Sequence, residues 1–153
     1  MCTVFWDRKD ALLVDFLPQG STINAGVYCD TLKNCVARSR ISDVACLAWV
    51  LWWFMTTPAH TLPTATQNLI TTFGWEQFDH PPYSPDLAPS DFYLFLHLKS
   101  FLAGRRFHDN NEVKEAVTTC FASQAASFYD EGIQKLLQRY DKCFNNGANY
   151  VEK

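Results

Sequence analysis

The sequence predicts an α/β fold in which a short β-hairpin precedes a series of helices. Two strand-like runs flank a polar turn near the N-terminus, and apolar residues recur at helical spacing through the C-terminal half. These two periodicities distinguish half-buried strands from amphipathic helices. With 153 residues and 48% hydrophobic side chains, the chain is long enough to form one domain with a buried core.

The hairpin is predicted from strands Thr3–Trp6 and Ala11–Leu17, which are separated by the polar sequence DRKD. Both runs are rich in β-branched, aromatic or aliphatic residues, as strands are. A Pro-Gln-Gly sequence then ends the second strand. The next prediction is a helix over Asn24–Lys33, for which Ser21 or Thr22 is placed as the N-cap.

Four further helices are predicted in the C-terminal half. Two of them end at a glycine, Gly74 or Gly104, which can adopt the left-handed conformation that commonly follows a helix. The others show one apolar face, which includes Val117 and Phe121 in one and Ile133 and Leu136 in the other. The predicted ranges are 68–73, 91–103, 112–121 and 128–144.

A proline-rich segment, His80–Phe95, has the sequence HPPYSPDLAPSDFYLF. Its prolines favour extended backbone because each ring fixes φ and disfavours the helical region for the preceding residue. Ser90 is placed as the N-cap of the helix that follows, with Asp91 in the first turn, where the helix dipole favours a carboxylate. Asp91 is therefore either a helix-start residue or, if other carboxylates converge on it, a metal ligand.

Composition argues against several other classes of protein. A net charge of −3 gives no overall basic field for nucleic acid, although Arg105 and Arg106 form a local basic pair. The six cysteines show no C-x-x-C pair, which favours free thiols in an intracellular protein. The apolar stretch Val44–Met55 is shorter than the roughly 20 residues that a membrane-spanning helix needs. No motif indicates a small-molecule substrate, and the four histidines lack zinc-type spacing.

The segment PPYSPDLAPSD at 81–91 resembles the signature of mariner-type (Tc1/mariner) DNA transposases. The likeness extends to VFWD at 4–7, LVDFLPQG at 13–20 and INA at 23–25 near the N-terminus. It continues through YDEGI at 129–133 and YDKC at 140–143 to the C-terminus. Most of residues 1–153 thus resembles part of the family's catalytic domain.

This resemblance implies an incomplete RNase H-like domain and a metal-dependent DNA chemistry that uses Mg²⁺ or Mn²⁺. It implies that Asp91 is the third of three catalytic carboxylates and a vestigial metal ligand. The first carboxylate and the helix-turn-helix DNA-binding region correspond to sequence upstream of the matched part, so we expect both to be missing. Asp7 and Asp15 are not catalytic positions of the family, and Asp86 is more typical of a turn residue.

The family's usual spacing places the second carboxylate at Thr56, yet residues 44–75 contain no Asp or Glu. The likeness is lost from 34 to 66. Codons can be chosen for Phe54–Pro63 that, read from the third base of the first codon, spell HDNARPHTA, the family sequence around that carboxylate. We therefore infer that the divergent segment 34–66 contains frameshifted text, which includes its tryptophan cluster.

Two functions remain open from the sequence. The first is a catalytically inactive remnant of a transposase catalytic domain. The second is a non-catalytic module that binds nucleic acid or protein, which salt-dependent DNA binding would favour. The family resemblance also implies DNA as a partner, a possible homodimer and a nuclear location. The family includes a fusion to a SET methyltransferase domain, but nothing in this chain resembles a SET domain.

Overall fold

The computed structural model describes residues 2–18, 20–38, 64–74 and 84–145 of the chain. It consists of two compact units. The N-terminal unit comprises Met1–Asp7 and Ala11–Pro82, and the C-terminal unit comprises Arg8–Asp10 and Tyr83–Lys153. Most of the divergent segment 34–66, including Thr56, lies outside the described residues, as does the first part of the proline-rich segment.

The N-terminal unit begins with the predicted hairpin. Strands β1 (Cys2–Trp6) and β2 (Ala11–Phe16) pair antiparallel, with Phe5 opposite Leu13. The register shifts between Phe5 and Trp6, so the ladder is irregular at the turn end. These strands form a two-stranded sheet in the part of the chain that the structure describes. A two-stranded ribbon is marginal alone and depends on the elements packed against it.

Two helices, α1 (Ala25–Arg38) and α2 (Thr64–Thr72), supply that packing. The buried core of the unit takes residues from both strands and both helices: Phe5, Leu13, Tyr28, Leu32, Cys35 and Ile70. Each large side chain removed from water in this way contributes about 1.5–3 kcal/mol to folding. The sheet is therefore held by helical side chains more than by its own ladder.

Helix α1 differs from its prediction at both ends. Its N-cap is Asn24, whose Oδ1 accepts a hydrogen bond from the Val27 amide at 2.9 Å, so neither Ser21 nor Thr22 caps it. The helix also continues past Lys33 to Arg38, because Cys35 is fully buried and anchors the additional turn. Gly74, by contrast, follows α2 with a φ of +69°, as predicted.

The C-terminal unit contains a 3-10 turn (Pro85–Leu87), a π-helical turn (Ser90–Leu94) and three α-helices. These helices are α3 (Phe95–Leu102), α4 (Asn110–Ala122) and α5 (Ala126–Asn145). Gly104 follows α3 with a φ of +75°, which confirms the predicted helix end. None of the helices in the described ranges is both long and apolar enough to cross a membrane.

Helices α4 and α5 are joined by a buried tyrosine. Tyr129 is completely buried, and its hydroxyl donates a 2.7 Å hydrogen bond to the carbonyl of Phe121. Phe121 belongs to the last turn of α4, where backbone carbonyls lack partners within the helix. The tyrosine thus fills core volume and satisfies a helix C-terminus with one side chain.

Candidate functional site

The candidate site is centred on Asp91, which lies in the π-helical turn at the end of the proline-rich segment. We call residues Ser84–Leu94 the signature segment. It contains the 3-10 turn and the π-helical turn. The carbonyl of Ala88 accepts hydrogen bonds from the amides of Asp91 at 2.9 Å and of Phe92 at 3.0 Å. The Phe95 amide then donates to the Ser90 carbonyl, a spacing of five residues that defines a π-helix.

The prediction that Ser90 caps an α-helix is wrong. Ser90 is buried inside the π-helical turn, and the residue before it, Pro89, already has helical φ and ψ of −55° and −32°. The turn begins earlier because Ala88 supplies the first acceptor. Single π-helical turns inside helices occur frequently at functional sites. This π-helical turn contains Asp91, the candidate site residue from the sequence.

The carboxyl group of Asp91 is half-buried, and this burial raises its pKa above the ordinary aspartate value. The positive charge of Lys99, in α3, acts in the opposite direction and is the smaller influence. A carboxylate that holds a cation is normally kept ionised by neighbouring charges and donors. The surroundings of Asp91 in the described residues therefore disfavour its charged form relative to that of a solvent-exposed aspartate.

The described residues around Asp91 do not fit a two-cation site. Over 2–18, 20–38, 64–74 and 84–145, no three His, Cys, Asp or Glu side chains are grouped so that they could hold a metal ion. Asp86 is buried in the 3-10 turn, but it does not form such a group with Asp91. The position of the expected second carboxylate, Thr56, lies outside the described residues.

Two aspartates of the hairpin, Asp15 and Asp7, have structural surroundings. Asp15 accepts a 3.4 Å hydrogen bond from the Thr31 hydroxyl of α1, which ties β2 to that helix. Asp7 is buried at the end of β1.

Burial raises the pKa of the Cys35 thiol to about 12, with a further contribution from the Asp7 charge. A thiol in this state is unreactive at neutral pH, so Cys35 acts as a core residue.

Arg139 of α5 is a site residue that sequence reasoning missed. Its Nη1 donates a 3.0 Å hydrogen bond to the carbonyl of Asp86, and its guanidinium lies 4.2 Å from the centroid of the Phe92 ring. One side chain thus contacts the signature segment on both sides of Asp91. No local sequence motif predicts these contacts, because Arg139 is distant from the signature segment in sequence.

Tyr93 of the signature segment forms a cluster with Glu131 and Lys135 of α5. The Tyr93 hydroxyl donates to Glu131 Oε2 at 3.2 Å, and Lys135 Nζ lies 2.7 Å from Glu131 Oε1. Burial, with a smaller contribution from Glu131, raises the pKa of Tyr93 to about 12. The tyrosine is therefore a neutral donor at physiological pH, and the cluster links the signature segment to α5.

The histidines do not form a metal site among the residues that the structure describes. The ring of His97 packs against Phe128, with 4.8 Å between the ring centroids. His108 precedes α4, and its backbone amide donates to Glu112 Oε2 at 2.8 Å. The other two, His60 and His80, lie outside the described ranges.

A surface cleft of about 500 Å³ lies at the C-terminal end of α3 and along α4. Arg105 and Arg106 line it together with Phe101 and Phe107, and the Arg105 guanidinium lies 3.8 Å from the Phe101 ring centroid. The remaining lining residues include two acidic ones, Glu112 and Glu115, so the charge of the cleft is mixed.

Comparison with known proteins identifies similar sequences over nearly the whole chain. A family model described as "Transposase (partial DDE domain)" matches residues 1–49. The chain is 34% identical over 155 aligned positions to the mariner Mos1 transposase of Drosophila mauritiana, covering 99% of this chain and 45% of that protein. It is 31% identical to the histone-lysine N-methyltransferase SETMAR of Homo sapiens, covering 99% of this chain and 22% of that protein. The chain therefore spans less than half the length of these curated relatives.

The structural comparison agrees with the sequence comparison. The structure of the Mos1 transposase catalytic domain with raltegravir and Mn matches with a TM-score of 0.81 and 31% identity, covering 97% of this chain and 76% of that one. This similarity confirms the α/β class and the expected partial RNase H-like domain. The similarity to SETMAR also agrees with the expected relation to a SET-domain fusion.

Proposed function

Because the chain belongs to the mariner family of DNA transposases and corresponds to part of their catalytic domain, we propose that it is a catalytically inactive relative of these enzymes. The family's activity is cut-and-paste DNA transposition with divalent metal ions. The observation that carries the proposal is the absence of any carboxylate from residues 44–75, where the family's second metal ligand is expected.

The chemistry of the family explains why this absence matters. Two-metal phosphoryl transfer requires carboxylates that converge to hold both ions near the attacking and the leaving oxygen. Mg²⁺ in such sites keeps several waters and takes one or two protein carboxylates together with substrate phosphate. Asp91, as the proposed third carboxylate, belongs to no group of three or more His, Cys, Asp or Glu side chains that could hold a metal ion in the described part of the chain.

We also propose a cause for the missing carboxylate. A frameshift within residues 34–66 would replace the family's HDNARPHTA with the observed MTTPAHTLP at Met55–Pro63. The same displacement accounts for Trp49, Trp52 and Trp53, which have no counterpart in the family's buried strand. DNA binding, a homodimer and a nuclear location remain proposals that come from the family.

A cleavage assay tests the proposed inactivity. The purified chain, incubated with Mg²⁺ or Mn²⁺ and DNA carrying mariner-type ends, is expected neither to nick nor to join the DNA. An active mariner transposase on the same DNA serves as the positive control, and Asp91→Ala should be indistinguishable from the parent chain. Metal-dependent cleavage that disappears in Asp91→Ala would show that the chain retains a working site.

The cleft with Arg105 and Arg106 supports a second candidate function, a non-catalytic nucleic-acid-binding module. Arginines beside aromatic rings can contact phosphate and stack on bases. The two glutamates of the cleft reduce its attraction for DNA, so binding is expected to be weak and to fall as salt rises. Arg105→Ala/Arg106→Ala should abolish it, whereas Lys33→Ala/Lys142→Ala, outside the cleft, should have little effect. DNA binding that is equal in both double variants would exclude this cleft as the site.

A further inference from the structure

Arg139 makes two different contacts with the signature segment, and Asp91 lies between them in sequence. The hydrogen bond from Nη1 ends on the Asp86 carbonyl in the 3-10 turn, at 3.0 Å. The central carbon of the guanidinium lies over the Phe92 ring, 4.2 Å from its centroid. A planar guanidinium can make both contacts at once, because it donates hydrogen bonds in its plane and stacks through its face.

The signature segment is built from short turns. The 3-10 turn is closed by two bonds of 3.1–3.2 Å, from Ala88 to Pro85 and from Leu87 to Ser84. A π-helical turn follows it directly. The 3-10 helix has poorer hydrogen-bond geometry than an α-helix, and both 3-10 and π helices occur mostly as short pieces. A contact from a neighbouring helix is therefore well placed to stabilise the conformation around Asp91.

We propose that Arg139 is the positioning residue of the signature segment, holding Asp91 in the π-helical turn through its contacts with Asp86 and Phe92. The inference rests on the proposed function only in taking Asp91 as the family's third carboxylate. In this role Arg139 acts through the backbone that carries Asp91, by its contacts with the Asp86 carbonyl and the Phe92 ring. In related chains that retain all three carboxylates, the same contacts would set the direction of the third ligand.

Helix α5 is well suited to this role because it is anchored independently. Tyr129 and Leu136, on the same helix, have 0% and 1% of their surface exposed. Arg8 forms an ion pair with Asp130 near the start of the helix. Arg139 thus projects from a fixed helix, whereas a residue within the segment would move with it.

Site-resolved amide hydrogen exchange tests the proposal on the full chain without metal or DNA. In Arg139→Ala, the amides of Leu87, Ala88, Asp91 and Phe92 should exchange faster by about tenfold or more, the change expected for loss of one charge-assisted hydrogen bond. Amides of α5 from Tyr129 to Leu136 should change by less than about threefold. Arg8→Ala is the matched control, since it removes another arginine contact to α5 and should leave the signature segment unchanged.

Two further variants separate positioning from general stabilisation. Arg139→Lys should restore part of the protection, because an ammonium can donate to the Asp86 carbonyl but cannot stack in the same way. Phe92→Leu, which keeps an apolar side chain, should make the effect of Arg139→Ala smaller when the two are combined. If Arg139→Ala does not fold, Phe92→Leu alone still tests the stacking contact. It should speed the exchange of the signature-segment amides and leave the α5 amides unchanged.

Exchange that rises evenly through the C-terminal unit, or does not change in the signature segment, would overturn the proposal. Because no cleavage is measured, this result is independent of the proposed inactivity. A chain that cleaved DNA would contradict the proposed function and leave the role of Arg139 to be decided by exchange alone.

Discussion

Leu136→Ala is expected to lower the free energy of unfolding of the C-terminal unit by about 2–5 kcal/mol. Only 1% of the Leu136 surface is exposed, so its removal leaves a cavity in the core around α5. The loss combines the transfer free energy of the missing methyl and methylene groups with the cost of that cavity. Urea denaturation followed by circular dichroism, which reports the helices directly, measures the change.

The next residue provides a matched control. Leu137 lies on the same helix, but 66% of its surface is exposed. Leu137→Ala should therefore alter the free energy of unfolding by no more than about 0.5 kcal/mol. Equal destabilisation by the two substitutions would mean that α5 does not bury the face described above.

Restoring the family's reading frame is expected to increase the affinity of the chain for divalent metal ions. The variant replaces Met55–Pro63, residue for residue, with HDNARPHTA, which puts an aspartate at the position of Thr56. The family resemblance makes that aspartate the second carboxylate and Asp91 the third, and a hydrated divalent ion usually takes one or two carboxylates from a protein. Mn²⁺ affinity, measured by electron paramagnetic resonance, should rise by about tenfold or more.

Two controls assign this gain to the carboxylates. A repaired chain with HNNARPHTA has the same segment without the negative charge and should bind Mn²⁺ no better than the parent. The repaired chain with Asp91→Ala should lose most of the gained affinity. If all three repaired chains bind equally, the gain is unrelated to a restored site, and Thr56 does not occupy the second carboxylate position.

The features that the sequence predicted correctly depend on local signals. The hairpin follows from strand residues on both sides of a polar turn, and the helix ends at Gly74 and Gly104 follow from the positive φ that glycine accepts. The start of α4 also had a local signal that the sequence interpretation did not use. Asp109 accepts from the amides of Asn111 and Glu112, while Glu112 accepts from the amide of His108, a reciprocal arrangement close to a capping box.

The features that the sequence did not predict depend on tertiary contacts. Helix α1 extends beyond Lys33 because Cys35 is buried among residues of β1, β2 and α2, which no local pattern reveals. At Asp91 an ordinary cap at Ser90 was expected, but the Ala88 carbonyl accepts from the amides of Asp91 and Phe92, and the Phe95 amide donates to the Ser90 carbonyl with π-helical spacing. The Arg139 contacts join residues far apart in the chain, so their partners could be identified only in three dimensions.

The nucleotide sequence that encodes Asn34–Gln67 tests the proposed frameshift, because the proposed inactivity follows from a carboxylate displaced by a change of reading frame. We expect the codons of Phe54–Pro63, read from the third base of the first codon, to spell HDNARPHTA. We also expect the codons of Trp49–Phe54, in the same frame, to give a run containing glycine and valine. Codons that do not permit these readings would contradict the frameshift, and the tryptophan-rich segment would then be native sequence of this protein.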